Sequence, residues 1–188
     1  MLTRGAHGPY RAPSDNNARP GFSGIRRAPT RKRDTMIAKT LKAFLDQKRV
    51  RYETIKHPPA FTAQEVAESA HITGKAMAKT VMVVIDGAPA MAVVPANKKV
   101  ALDDLCECAE TDDVRLAHEE EFKACFPDCE PGAMPPFGNL YDLPVYVSPD
   151  LADEAEITFN AGTHAEVIRM GFHDFERLVL PHVGRFSH

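Results

Sequence analysis

The sequence contains no apolar run that approaches the roughly 18 residues a membrane-spanning helix requires. Its first residues also lack an apolar stretch, so no secretory signal is expected and a cytoplasmic location is predicted. The P-loop pattern and the patterns G-x-G-x-x-G, G-x-S-x-G and H-E-x-x-H are absent. Nucleotide hydrolysis, dinucleotide-dependent redox chemistry and serine esterase chemistry therefore lack support.

Cysteine is scarce, with four residues at positions 106, 108, 125 and 129. Their C-x-C and C-x3-C spacings differ from the paired C-x2-C knuckles of zinc ribbons, and Cys106 and Cys108 fall in one predicted helix instead of in a turn. Without a secretory context, disulfides are not expected either. We expect free thiols, no metal site and no cofactor.

What is present is enough apolar material for one domain with a tail: 188 residues, 44% of them hydrophobic and 26% charged. The formal net charge of −3 argues against a general nucleic-acid coat protein. That average hides two unlike parts. Residues 1–35 carry eight basic and two acidic residues, whereas residues 36–188 carry 15 basic and 24 acidic ones. This shift predicts a boundary near residue 35.

The basic segment 1–35 has too few large apolar residues to offset the entropy of ordering it, so we predict that it is disordered. Three interpretations stay open. It could be an arm that contacts RNA phosphates, or an Arg-rich transit peptide. The interpretation we favour is that the natural chain starts at Met36, where a clean helical pattern opens.

Periodicity and turn signals predict alternating short elements after residue 36. The predicted helices cover 37–48, 63–70, 103–109, 118–126 and 172–180; the predicted strands cover 51–56, 80–85, 90–95, 99–102, 114–116, 143–147, 156–160 and 165–170. Thr62 and Glu65 form a capping box at the start of the second helix. Because tight turns join most strands, we predict an α+β fold with a mixed, largely antiparallel, barrel-like sheet and surrounding helices.

Three features could carry chemistry. Residues 131–138 form a loop in which adjacent prolines stiffen the backbone and glycines allow close approach to a ligand, although a rigid connector would look the same. Residues 160–164 join two strands and could equally be a plain hairpin turn. Lys79 precedes an apolar strand, in a stretch (75–99) with a local charge of +3, whereas residues 103–130 carry −9. Such segregation can focus an anion onto one face, but a lone lysine is usually solvated.

Taken together and in order, four stretches resemble the YbaK/EbsC family, a domain also inserted in bacterial prolyl-tRNA synthetases as an editing module. The stretches are His57-Pro58-Pro59-Ala60-Phe61-Thr62 with Glu65-Val66-Ala67; Ala78-Lys79-Thr80-Val81; Pro131-Gly132-Ala133-Met134-Pro135-Pro136-Phe137-Gly138; and Phe159-Asn160-Ala161-Gly162-Thr163-His164. The resemblance covers about residues 36–181 and leaves the basic segment outside.

The resemblance implies an aminoacyl-tRNA deacylase on a mixed barrel-like sheet. It implies that Lys79 holds the phosphate of the terminal adenosine and that the Gly132 loop faces the substrate's ribose and a water. These two are the expected catalytic residues. The expected substrate-binding residues are Thr80, Met134, Pro135, Pro136, Gly138, Gly162, Thr163 and His164. Thr80 stands where some alanine-editing branches have asparagine.

The function expected from this resemblance is trans-editing: hydrolysis of a small amino acid such as Ala, Cys, Ser or Thr from a non-cognate tRNA, with the proline tRNA as a candidate. The expected partners are aminoacyl-tRNA and a synthetase or elongation factor that delivers it, with neither membrane nor DNA. Two alternatives stay open: a non-catalytic module that binds tRNA or a synthetase, and an esterase of small molecules.

Overall fold

The computed structural model describes residues 36–127 and 129–188, so the predictions for the basic segment 1–35 lie outside the described residues. The helices are α1 (Met36–Gln47), α2 (Ala63–Ser69), α3 (Leu102–Ala109), α4 (Glu119–Phe122) and α5 (Phe172–Val179). The strands are β1 (Tyr52–Lys56), β2 (Ala78–Ile85), β3 (Ala88–Pro95), β4 (Val114–Leu116), β5 (Val145–Val147), β6 (Glu156–Thr163), β7 (Glu166–Gly171) and β8 (His182–Val183). Within these ranges no helix is both long enough and apolar enough to cross a bilayer.

The strands form two sheets. The first has the order β1-β7-β6 and is antiparallel throughout; the second has the order β4-β2-β3-β5-β8, with the β3–β5 and β5–β8 pairs parallel. A parallel bridge between Met77 and Thr158 joins them, and the Thr158 amide donates to the Ala76 carbonyl at 2.8 Å. The predicted α+β class with a mixed, largely antiparallel sheet is confirmed, but the barrel-like arrangement is not closed.

The main core lies between the two sheets and centres on three fully buried rings. Phe137 is 5.5 Å from Phe159 and 5.6 Å from Phe175, measured between ring centroids. Because side chains alternate along a strand, β2 serves two cores. Ala78 and Met82 face this main core, whereas Val83 and Ile85 belong to a second one with Leu105 and Phe186.

Local signals in the sequence account for the turn between β2 and β3 and for the start of α2. Asp86 and Gly87 both have positive φ (50° and 77°), the two-residue turn that matches the twist of a β2–β3 hairpin. The predicted capping box is present: the Glu65 amide donates to Thr62 Oγ1 at 3.2 Å, and Glu65 Oε2 accepts from the Thr62 amide at 3.0 Å.

Two predicted elements are wrong or incomplete. Residues 99–102 make one isolated bridge, Val100 to Ser187, instead of a strand, and Leu102 already belongs to α3. The helix predicted over 118–126 is shorter: α4 ends at Phe122 and a 3₁₀ turn, Lys123–Cys125, follows it. The four cysteines form no disulfide.

The C-terminal segment is fastened to the second sheet, which the sequence did not suggest. β8 pairs with β5, Phe186 is fully buried, and the main chains of Lys99 and His188 exchange two hydrogen bonds. Beside them the Asp150 carboxylate accepts from Lys98 Nζ at 2.7 Å, and from the hydroxyls of Ser148 and Ser187 at 2.8 Å each. Asp150 therefore joins three separate segments of the chain.

Gly138 is packed against backbone, because a Cβ there would meet the Leu143 carbonyl oxygen and lie 2.6 Å from Val145 Cγ2. The Leu143 amide also donates to the Gly138 carbonyl at 3.0 Å, which holds the two backbones together. A side chain at this position must therefore displace Leu143 and Val145 at the start of β5.

The contacts of Asp150 predict that the free energy of unfolding decreases in acid. The Lys98 ammonium and the Ser148 and Ser187 hydroxyls lower the pKa of the Asp150 carboxyl from 3.8 to about 2. Because the folded-state pKa is lowered, this stabilisation is present above about pH 4 and is lost as pH falls towards 2.

In urea unfolding, Asp150→Asn should be less stable than wild type at pH 6, and the difference should shrink as the pH approaches 3. Asp153→Asn, an exposed neighbouring carboxylate, is the control and should leave the midpoint unchanged. An equal deficit for Asp150→Asn at both pH values would contradict the assignment.

Gly138→Ala should lower the free energy of unfolding by about 1–3 kcal/mol, the usual cost of overpacking a dense interior. Gly171→Ala is the matched control, because a Cβ there would find its nearest neighbour, the Ala155 carbonyl oxygen, at an ordinary 3.9 Å. Denaturant unfolding of both variants measures the difference. Equal stability of the two variants would show that the neighbours of Gly138 yield easily.

Candidate active site

The loop that contains Gly132 is bound to the turn between β6 and β7 by its own backbone. The Glu130 amide donates to the Gly162 carbonyl at 3.1 Å, and the Gly162 amide donates to the Ala133 carbonyl at 2.9 Å. Gly132 and Gly162 have φ values of +84° and +96°, in the region that favours glycine. The two loops that the sequence singled out separately therefore form one unit.

His164 is fixed within this unit at two places. Its amide donates to Glu130 Oε2 at 2.6 Å, and its Nε2 lies 2.8 Å from the Pro131 carbonyl oxygen. A carbonyl oxygen only accepts, so Nε2 carries the proton and, in the neutral ring, Nδ1 is an acceptor. Nδ1 is shielded from solvent and has no hydrogen-bond partner within residues 36–127 and 129–188. A Cβ placed on Gly132 would lie 3.6 Å from His164 Cε1, so the glycine and the imidazole are neighbours.

Lys79 lies near the start of β2 and is half-buried. Its Nζ donates to the Ala96 carbonyl at 3.3 Å, and Gln64 Nε2 donates to the same oxygen at 3.1 Å. None of the ion pairs found in the described ranges involves Lys79. Burial, and secondarily the charge of Lys99, lower the pKa of Lys79. The ammonium group is thus partly dehydrated and held by one neutral acceptor, a state that favours an incoming anion.

Lys79 and Asn160 each lie two residues beyond the bridge between the sheets. Met77 and Thr158 form that bridge, and by strand alternation Lys79 is on the same face of its strand as Met77, and Asn160 on the same face as Thr158. Asn160 Oδ1 is buried and has no hydrogen-bond partner in the described part of the chain. The sequence reasoning included Asn160 in a motif but did not select it as a site residue; the junction of the two sheets is what marks it.

Four predicted substrate-binding residues lie in the interior instead of in an open cleft. Met134, Pro135, Pro136 and Gly138 are all buried, and Met134 belongs to the main core. Gly138 is required for packing against Leu143 and Val145, as described above. These positions support the loop from behind.

Thr80 and Thr163 are both half-buried and take different places. By strand alternation Thr80 shares the face of Ala78 and Met82, which is opposite to that of Lys79. Thr163 ends β6 opposite Glu166, after a bulge that follows Asn160. The bulge turns the strand end towards the Gly132 loop.

Two residues that the sequence analysis did not select complete the surroundings. Glu130 holds the His164 amide, and the ring of Phe61 lies 4.9 Å from the His164 ring, centroid to centroid, at an angle of 48°. Phe61 stands in the first motif, directly before the capping residue of α2. Only the tertiary structure shows that it reaches the second loop.

The fold has counterparts in solved structures. A candidate trans-editing enzyme for prolyl-tRNA synthetase shares 19% identity at a TM-score of 0.71, covering 81% of this chain and 98% of that one. A hypothetical protein matches at 17% identity and a TM-score of 0.71, covering 79% and 99%. A candidate signal transduction protein of Marinobacter aquaeolei VT8 matches at 14% identity and 0.62, covering 79% of this chain and 30% of that one. At these identities the likeness shows the fold alone.

The sequence itself supplies the family. No curated protein matches the chain. The family model of the aminoacyl-tRNA editing domain matches residues 57–178, which include Lys79, both loops and the segment before α2. The chain therefore belongs to the aminoacyl-tRNA editing domain family.

Proposed function

We propose that this protein is a trans-editing hydrolase that removes a small amino acid, such as Ala, Cys, Ser or Thr, from a non-cognate tRNA. The observation that carries the proposal is the pairing of the Gly132 loop with the turn that contains His164, in a member of the editing family that also has the half-buried Lys79. The proline tRNA is the candidate substrate because a structural neighbour is described as a candidate trans-editing enzyme for prolyl-tRNA synthetase. A cytoplasmic location is part of the proposal, since aminoacyl-tRNAs are its substrates.

Lys79 is proposed to bind the phosphate of the terminal nucleotide. Its ammonium group is partly dehydrated and holds one neutral oxygen, so a phosphate oxygen can replace or join that contact at little cost. Residues 36–188 are acidic overall, so a local cation of this kind matters for an anionic substrate.

The reaction itself needs little machinery. A water oxygen bonds to the ester carbonyl carbon, the bond from that carbon to the ribose oxygen breaks, and the ribose oxygen takes a proton. The free amino acid and the unacylated tRNA result. The Gly132 amide joins none of the hydrogen bonds found in the described residues and is exposed, so it can donate to the developing oxyanion or orient the water. The vicinal ribose hydroxyl is proposed to assist by holding the same water.

The chemistry of misacylation explains why such an enzyme is needed. A synthetase pocket rejects a side chain that is one methylene smaller by only about 1–3 kcal/mol, so a second site must hydrolyse the wrong product. For choosing the amino acid we propose His164 as a wall of the pocket, with the buried Met134 and Pro135 fixing the loop behind it.

The proposal predicts lysine-dependent deacylation. We expect the full-length protein to be tested on a panel of tRNA charged with Ala, Cys, Ser, Thr or Pro. It should release one or two of the small amino acids and should leave the tRNA charged with proline intact. Lys79→Ala should lower kcat/KM by about 10- to 100-fold, the range for losing a hydrogen bond to a charged group. The measurement is release of labelled amino acid under single-turnover conditions.

Lys75→Ala is the matched control, because it removes the same charge from an exposed position four residues earlier and should keep the wild-type rate. Circular dichroism and unfolding midpoints establish that both variants fold. A folded Lys79→Ala protein with full activity would overturn the role of the lysine. If no substrate is hydrolysed although tRNA still binds, the result would contradict the proposed hydrolase and support a regulatory tRNA-binding module instead.

A further inference from the structure

Phe61 is the most unusual apolar side chain near the site. It is 73% exposed, although phenylalanine is among the residues most often buried. A single exposed apolar residue is common on protein surfaces and needs no explanation by itself. Two further observations, the rigid attachment of its backbone and its contact with His164, set this one apart.

The backbone at Phe61 is held from both sides. Glu65 Oε2 accepts from the Phe61 amide at 3.1 Å as well as from the Thr62 amide at 3.0 Å, and the Ala60 amide donates to the His164 carbonyl at 3.0 Å. These amide contacts also lower the pKa of Glu65, so the carboxylate remains charged and keeps its hold at neutral pH. The exposed ring is therefore attached to a fixed base.

The ring lies within the reach of one nucleotide from the proposed reaction centre. The ring of Phe61 contacts the ring of His164, whose Nε2 in turn donates to the Pro131 carbonyl next to Gly132. The base and the aminoacyl ester are carried by the same ribose. A ribose placed at the Gly132–His164 unit therefore brings its base beside these residues, where Phe61 offers an open aromatic face.

We propose that Phe61 is the stacking platform for the adenine of the terminal nucleotide; this inference rests on the proposed function. Stacking is an uncharged interaction, so the acidic charge of residues 36–188 does not oppose it, unlike contacts that depend on attracting phosphates. Base–aromatic stacking depends on a π-face and favours purines over pyrimidines through their larger ring area. Phe61 is thus a positioning residue that orients the ester through its nucleoside.

The kinetic test compares two small substrates, the 3′-aminoacyl esters of adenosine 5′-monophosphate and of uridine 5′-monophosphate, carrying the amino acid that the tRNA panel selects. The wild-type protein should prefer the adenosine ester, chiefly in KM. Phe61→Ala should raise KM for the adenosine ester by about tenfold and change KM for the uridine ester less. Phe61→Tyr should keep the preference, whereas Phe61→Leu, which is apolar but not aromatic, should lose it.

Leu180→Ala serves as the matched control, because Leu180 is 80% exposed at the end of α5 and makes none of the contacts described for the site. It should behave as wild type with both esters. Equal losses with the two esters in Phe61→Ala would make the ring a general shield for His164 and overturn the inference. A wild-type preference retained in Phe61→Leu would do the same.

A binding measurement separates failure of this inference from failure of the proposed hydrolysis. The chain contains no tryptophan, so F61W carries a single indole whose fluorescence reports on a stacked base. Adenosine 5′-monophosphate should quench it at lower concentration than uridine 5′-monophosphate, and L180W should respond to neither. If the wild-type protein hydrolyses nothing, this assay still decides: selective quenching by the adenosine nucleotide upholds the platform, and equal or absent quenching overturns it.

Discussion

The hydrogen bonds between the Gly132 loop and the β6–β7 turn are the constraint on which the rest of the site depends. Each of the two segments donates one backbone amide and offers one backbone carbonyl to the other. The Glu130 carboxylate adds a charged acceptor for the His164 amide. Without them the loop would be a proline-stiffened connector and His164 an ordinary strand residue. With them, a glycine amide, an oriented imidazole and a turn with positive φ share one rigid frame.

That frame rests on the core behind it. Phe137 is part of the same loop and packs against Phe159 of β6 and Phe175 of α5, so the loop is anchored from within as well as at its surface. The buried positions Met134, Pro135 and Pro136 continue this anchoring. Reactive geometry at the surface is thereby held by close packing, which tolerates little displacement.

Local signals in the sequence were sufficient where a structure depends on neighbours along the chain. The capping box at Thr62 and the turn at Asp86 and Gly87 are examples, because cap and turn geometry follow from a few adjacent residues. The two-residue strand β8 could not be predicted, since nothing in His182 and Val183 alternates and their partner strand is far away in sequence. The strand expected over 99–102 was wrong for a related reason: its apolar residues pack on the C-terminal segment and open α3.

The candidate site divides in the same way. Gly132 stood out because its loop combines glycines with adjacent prolines, and His164 because its stretch resembles a motif of the editing family; the structure places the two side by side. Glu130, Asn160 and Phe61 did not stand out, since a carboxylate, an amide and an aromatic ring are common residues. Their importance comes from tertiary structure. Glu130 accepts from the His164 amide, Asn160 lies two residues after the bridge between the sheets, and the ring of Phe61 contacts the ring of His164.

The pairing of β1 with β7 has a consequence for how the chain is made. It joins segments such as Glu53 and Arg169, whose side chains bond across 116 residues of sequence. Contacts of such long range slow folding, because a large loop must close before they form. During synthesis, β1 and the apolar β2–β3 hairpin emerge long before β6 and β7. The nascent chain must therefore keep β1 unpaired and the apolar β2–β3 hairpin incompletely covered until β6 and β7 emerge, and aggregation or capture by a chaperone is most expected in this interval.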